Sequence, residues 1–329
     1  MNGLLGELGK KLAERWLSLL VLPGALFLAV AAAALVLGHG HALDAGRLAR
    51  EITRHAGARP VRTAGGQVLL LAAVLAGAAA VGVVVQALGA LVERLVLAAG
   101  WRRWPGLPRA VARRRVERRR RRWDERQAAW EAASARARRP RPEDRPDPAA
   151  LHKAAGDRDR IAPERPDRPT WSGDRVHAVA VRLDRDHHLD LATVWPPLWL
   201  ELPAAVRAEL TAARADLSRA AALAGWAVLY ASLTVWWWPA APLALVMALT
   251  ARHRVRASTD AYARLMEAAV RLHGTTLAVA LGLLPAAPAD GGTGRLPPAG
   301  PLDRELGRAL TRHLRPRREP GAAADPPGG

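Results

Sequence analysis

AGGQVLLLAAVLAGAAAVGVVVQALGALV runs from Ala64 to Val92 without one charged side chain. A hydrocarbon core about 30 Å thick takes roughly 20 apolar residues of helix to cross, so this stretch is long enough to span a bilayer with some tilt. Two further uncharged runs accompany it, Leu17 to Gly38 and Ala220 to Ala251. Runs of that length in a soluble domain would leave apolar surface and backbone without a matching environment. Together they read as an integral membrane protein.

Composition agrees once the chain is divided. Its 329 residues have a mean hydropathy of -0.03 and a formal net charge of +19, which averages apolar runs with a very basic remainder. Lys stands only at 10, 11 and 153, so 46 arginines carry the charge. With no Cys, disulfides, thiolate metal sites and Cys nucleophiles are excluded. Lys10, Lys11 and Arg15 precede the first run as in a signal peptide, but its core exceeds the 7–15 residues of a signal h-region and no clear A-x-A site follows it, so it reads as a retained anchor.

The expected architecture is all-α, with four transmembrane helices in two hairpins plus a helical, partly disordered cytoplasmic module. Leu4, Leu5, Leu8, Leu12 and Trp16 oppose Lys10, Lys11, Glu14 and Arg15, which predicts an interfacial amphipathic helix over 1–16. The first span follows at 17–38, an extracytoplasmic loop at 39–66, and the second span at 67–92. Ala78, Gly82, Gln86 and Ala90 share one face of that second span, where small residues admit a neighbouring backbone and Gln86 offers an interhelical hydrogen bond. A basic juxtamembrane helix is expected over 93–139 and a disordered, Pro-rich linker over 140–169. A cytoplasmic module over 170–216 precedes the third span at 217–238 and the fourth at 239–256. Trp236 to Trp238 with Pro239 and Pro242 interrupt that pair, so a short or re-entrant hairpin is the alternative. An amphipathic helix carrying Tyr262, Leu265, Met266, Ala269 and Leu272 fills 257–284. The tail 285–329 reads as mostly disordered, apart from a short helix over Leu302 to Leu314.

Orientation follows from basic residues near the spans. Trp101 to Arg175 holds 23 basic and 12 acidic residues, whereas 39–66 holds five Arg against Asp44 and Glu51. The large segment is therefore placed in the cytoplasm of a bacterial plasma membrane, with both termini inside. The positive charge of the outer loop fits this least well.

The strongest local signal is the run Arg113, Arg114, Arg115, Arg118, Arg119, Arg120, Arg121 and Arg122 with Trp123 and Trp130. Close to an anionic leaflet each cation is worth about 1 kcal/mol, so a lipid surface leads, an unidentified protein partner follows, and nucleic acid is the weaker reading. Val116, Trp123 and Trp130 recur at seven residues, which also fits one packed side of a helix. His187 and His188 lie among Asp184, Asp186 and Asp190, yet adjacent His side chains point apart. His39, His41 and Asp44 read as an exposed polar loop, and Gly291, Gly292 and Gly294 lack the Lys-Ser/Thr of a phosphate loop. No catalytic motif, cofactor or metal is expected, and no ionisable residue lies in mid-span.

Thr170-Trp-Ser-Gly-Asp-Arg175, Ala178-Val-Ala-Val-Arg182, Leu189-Asp-Leu191 and Trp195-Pro-Pro-Leu-Trp-Leu-Glu-Leu-Pro203 form a block ahead of the last hairpin and of Ala261 to Ala269. That block resembles one in a group of bacterial, largely actinobacterial, multi-span membrane proteins, as does the start with Gly9 to Trp16 and Leu22-Pro-Gly24. The resemblance implies a membrane protein and brings no activity. Where that group has an aromatic and a Gly, this chain has His187 and His188. Residues singled out as specifying the module's fold or its contacts are Trp171, Asp174, Arg175, Arg182, Asp190, Trp195 and Trp199. The resulting expectation is a non-catalytic membrane-anchored interaction or regulatory subunit. A channel or transporter component, as a homo-oligomer, is second, and a membrane-anchored enzyme third.

Overall fold

A computed structural model describes residues 21–56, 63–138, 148–285 and 302–315. The described chain is all-α, with no strand. Its helices are α1 Leu22–Leu37, α2 Ala45–Ala56, α3 Ala64–Leu97, α4 Gly106–Ala137, α5 Pro148–Asp159, α6 Trp171–His187, α7 Leu191–Glu201, α8 Ala204–Leu233, α9 Ala240–Ala280 and α10 Arg304–Leu314. The chain divides into two compact units. One holds residues up to Val96 with Ala215–Ser258, and the other Leu97–Arg214 with residues from Thr259 onward. The helix expected over 1–16 lies outside the described residues, as does most of 285–329.

In the first unit small residues bring backbones together. A Cβ on Gly24 would collide with the Ala78 carbonyl, and one on Gly89 would stand 2.9 Å from Ala222 Cα. The buried residues of α3 are Ala78, Gly82, Val85 and Gly89, at intervals of four, three and four. That seam turns with the helix and leaves Gln86 and Ala90 exposed, which corrects the expected face. Phe27 meets Tyr230 edge to face at 5.3 Å between ring centroids, beside Leu233, Ala240 and Ala244. Turns between α8 and α9 are tied to the segment after α1: Trp237 Nε1 donates to the Ala42 carbonyl (2.9 Å), and His39 Nδ1 lies 2.6 Å from the Trp236 carbonyl. His41 Nδ1 meets Arg47 Nη1 (2.9 Å), and Asp44 accepts from the Arg47 amide at the start of α2 (2.8 Å).

The exterior of this unit is apolar. Val68, Leu69, Leu70 and Leu71 on α3, and Leu245, Val246 and Leu249 on α9, are each more than half exposed. Among the described residues one helix, α3, is long and apolar enough to cross a membrane; α1 is apolar but shorter, with 16 residues. The segment expected as a loop contains α2, whose Leu48 and Ile52 lie opposite Arg47, Arg50 and Arg54.

The second unit has a conventional core. Val179 and Leu183 of α6, Val194 and Leu198 of α7, Val270 of α9 and Leu310 of α10 are fully buried in one cluster. Thr170 caps α6 by accepting from the Gly173 amide (3.1 Å), and Asp190 caps α7 by accepting from the Ala192 amide (3.1 Å). His188 ends α6 in the left-handed region at φ 53°, a position that favours Gly. Residues expected as a linker are instead ordered from Pro148: α5 packs on α4, and the turn after it is held down by side chains of α4. Composition suggested disorder because Pro and charge dominate there, but those charges have partners on α4.

Candidate functional site

Asp174 organises the region before α6. Its Oδ1 accepts from the Asp167 and Arg168 amides (2.9 and 2.7 Å), and its Oδ2 accepts from Arg119 Nη2 (2.7 Å). Arg119 also donates to the Ile161 carbonyl (2.6 Å), and Arg120 Nε to the Pro166 carbonyl (2.7 Å). Trp123 and Trp101 add indole bonds to the carbonyls of Ala162 (3.0 Å) and Asp167 (2.9 Å). The chain from Ile161 to Arg168 is thereby clamped at five residues. Gly173 is required here, because a Cβ would stand 2.6 Å from the Leu97 carbonyl oxygen.

The charges of this cluster do not cancel. Asp167 accepts from both Arg102 (2.7 Å) and Arg120 (2.8 Å), and Asp174 is taken by Arg119. Arg168 pairs with no carboxylate among the described residues; its Nη1 donates to the Ala98 carbonyl (3.0 Å), and its buried Nε has no partner. Four guanidinium groups therefore share two carboxylates. Burial, reinforced by Arg102, holds the Arg168 pKa below its ordinary value despite Asp167 and Asp174. Burial and then the Arg168 charge likewise lower His177. Burial raises the Asp174 carboxyl, against the opposing pull of Arg119 and the two amides.

A second network fixes α6 against α9. Arg175 Nε donates to Asp260 (2.5 Å), and seven residues on, Arg182 makes two bonds to Glu267 (3.2 and 2.5 Å), itself seven residues after Asp260. Two pairs one heptad apart fix the register of the helices. Arg271 adds bonds to Glu267 (2.9 Å) and Asp186 (3.4 Å). Burial would raise Glu267, but the hydrogen bond and charge of Arg182, with Arg271, leave it below the usual carboxylate range.

The residues singled out from the sequence separate into groups. On α4, Arg113, Arg114, Arg115, Arg118, Arg121 and Arg122 point outward, while Arg119, Arg120 and Trp123 face inward with Ala112 and Val116. Trp130 lies beneath Arg158, whose guanidinium carbon is 5.1 Å from a ring centroid. Arg119, Arg120, Trp123 and Trp130 thus serve internal packing, which corrects their assignment to a lipid or partner surface. The seven-residue spacing of Val116, Trp123 and Trp130 was the signal for this. Asp174, Arg175 and Arg182 form the networks above, Trp171 Nε1 donates to the Asp159 carbonyl (3.3 Å), and Asp190 is a cap that also takes Thr193 Oγ1 (2.8 Å). His187 packs against Gly307 of α10, at whose Cα a Cβ would strike the His187 carbonyl. Asp260, Glu267 and Arg168 escaped sequence reading, since their partners lie tens of residues away, and His177 escaped it because burial is what sets it apart.

Trp195 and Trp199, with centroids 6.0 Å apart, belong to no network. They line surface clefts instead. One, of about 390 Å³, has Arg168, Gly173, Val176, His177, Ala180, Leu191, Trp195, Tyr262 and Met266 in its walls. The other, of about 630 Å³, is bounded by Trp195, Pro196, Trp199, Leu200, Leu210, Arg214 and Tyr262. Arg214 stands over the Tyr262 ring at 6.0 Å. Burial raises the Tyr262 phenol, with Arg214 opposing, so the hydroxyl is protonated near neutral pH.

Compared with known proteins, the chain matches no family model, no curated protein and no solved structure. The geometry therefore defines the class on its own terms: a helical module joined in one chain to an apolar-surfaced helical unit.

Proposed function

We propose that this chain is a multi-pass protein of a bacterial cytoplasmic membrane and a non-catalytic interaction or regulatory subunit. Four membrane helices, in two hairpins drawn from α1, α3 and the apolar parts of α8 and α9, leave both termini and the second unit in the cytoplasm. The exposed Leu and Val side chains of α3 and α9 support burial in lipid, since a surface of that kind is costly in water. The sequence resemblance supports the same reading. On the opposite side α2 lies in the interface with Leu48 and Ile52 toward lipid, which accounts for the Arg residues of the outer loop.

The observation that carries the cytoplasmic part is the outward stripe of α4. Of its six exposed arginines only Arg113 meets a carboxylate among the described residues, Glu117 at 3.9 Å. At about 1 kcal/mol per cation beside an anionic leaflet, the stripe supplies up to about 6 kcal/mol of attraction. Full-length protein with a fluorophore on a Cys replacing Glu125 tests this in vesicles carrying a lipid-borne quencher. Quenching should appear with anionic lipid, fade at about 1 M salt where the screening length is roughly 3 Å, and vanish when Arg114, Arg115, Arg118, Arg121 and Arg122 become Gln. A label replacing Leu75 on α3 should be quenched in all of these vesicles. An unquenched Leu75 label removes the membrane reading; a Glu125 label indifferent to lipid charge removes the leaflet contact alone.

A further inference from the structure

The two clefts share Trp195, Pro196 and Tyr262 in their walls and so adjoin, together making one grooved surface. Each is within the roughly 300–1,000 Å³ of ordinary ligand pockets, and their walls are largely apolar or aromatic. Side chains of four helices and of the chain after α3 form it. No side chain of the outward α4 stripe lines it.

Its charged groups stand at its two ends, Arg214 with Thr211 at one and Arg168 at the other. There Arg168 enters the wall beside His177 and the first turn of α6 at Gly173. Arg168 is the one guanidinium of its cluster with no carboxylate among the described residues, because Asp167 serves Arg102 and Arg120 while Asp174 serves Arg119. A cluster of four cations and two anions, partly withdrawn from water, lacks negative charge where it opens on the groove. His177, neutral near pH 7, can accept or donate one hydrogen bond but adds no charge. At the far end Trp199, Leu210 and the Trp195 ring offer only apolar surface apart from Thr211 and Arg214.

We propose that this groove binds an anionic lipid with a single acyl chain, its headgroup at Arg168 and its chain along Trp195, Tyr262 and Trp199. An anion at Arg168 would bring the local charge nearer to zero, and the chain would cover aromatic surface otherwise open to water. A zwitterionic lipid would bring a cation to a site already in excess. Inorganic phosphate would gain the charge contact without the apolar one. The site goes beyond the proposed leaflet contact and does not depend on it.

Native mass spectrometry of the full chain released from a neutral maltoside detergent reads the ligand by mass. Lysophosphatidic acid should give one saturable adduct, with lysophosphatidylcholine and inorganic phosphate at least tenfold weaker. Arg168→Gln should weaken the adduct at least tenfold, and Arg168→Lys should restore part of it. Ala192→Trp, which fills the groove from an exposed position, should abolish it without depending on the cluster's integrity. Arg121→Gln, on the outward stripe, should leave it intact. Equal binding of the zwitterionic lipid, or an adduct that survives both Arg168→Gln and Ala192→Trp, would overturn the proposal. Tight binding of phosphate alone would overturn its acyl part.

Discussion

Replacing Asp174 with Ala should release the chain between Ile161 and Arg168. The carboxylate is 3% exposed and holds two amides and one guanidinium. Its loss leaves the half-buried Arg119 without a counter-charge and Asp167 as the only acid among Arg102, Arg119, Arg120 and Arg168. Breaking a buried pair by removing one partner costs about 3–5 kcal/mol, and the two amides turn back to water if the segment opens. Arg165 and Arg168 precede Pro and resist trypsin, but the segment holds one site for the glutamate-specific endoproteinase Glu-C, the bond from Glu164 to Arg165. When opening is fast relative to cleavage, the cut rate follows the open population, so 3 kcal/mol corresponds to cleavage about 10²-fold faster. Full-length Asp174→Ala treated with dilute Glu-C should therefore be cut first after Glu164, while wild-type protein survives there. Asp174→Asn should lie between them: its carbonyl still accepts from the amides, but its NH₂ faces Arg119. The pH sign is also fixed. A carboxyl raised in the folded state binds more protons there than in the unfolded state, so Asp174 supports folding below about pH 3.8 and loses that support as pH rises through its folded value. Cleavage of Asp174→Ala at the wild-type rate, with wild-type fragments, would refute the clamp.

His177 should give the module a dependence on pH of opposite sign. Its pKa is lowered from 6.5, so the folded state binds fewer protons and stability is lost as pH falls from about 6.5 toward the folded value. Thermal denaturation of wild type should show a drop across that window that His177→Gln lacks; identical profiles would remove the effect. Gln86 is an amide exposed on the helix that is long enough to span. Gln86→Leu should weaken association of solubilised copies measured by energy transfer between labelled chains, by about 1 kcal/mol or fivefold; unchanged transfer would leave that amide without a partner of this kind.

Helical content was legible because its determinants are local. The uncharged run at Ala64 and the 3.6-residue rhythm past Tyr262 both act within a few residues. What escaped depends on distant pairing. Asp260 and Glu267 look like ordinary charges of an amphipathic helix until Arg175 and Arg182 are placed opposite them at the same seven-residue interval. The run from Arg113 to Arg122 looks uniform, yet a helix turns it into two faces, and only Val116, Trp123 and Trp130 mark which face packs. Pro148 to Pro169 misled for a related reason: Pro and charge signal disorder only when the charges lack partners, and α4 supplies partners from more than 30 residues away.

The two histidines at the end of α6 illustrate the limit from the other direction. Composition placed them among Asp184, Asp186 and Asp190, as a metal site would, but backbone geometry gives each a separate task. His188 occupies the left-handed position that closes the helix, where Gly is favoured and His, Asn and Asp are tolerated. His187 turns toward α10, whose Gly307 admits its carbonyl at close range, while Thr311 of the same helix accepts from the Asp190 amide (3.1 Å). The junction of α6 and α7 is thus covered by a helix from the far end of the chain. Its sequence requirement is small residues and a hydroxyl at the covering helix, not a ligand set at the histidines. A sequence displays the residues of such a junction but not the element that lies over them, and the same holds for Arg168. It stands in the sequence as one Arg among 46, and becomes distinctive only when Asp167 and Asp174 are seen to be bonded elsewhere.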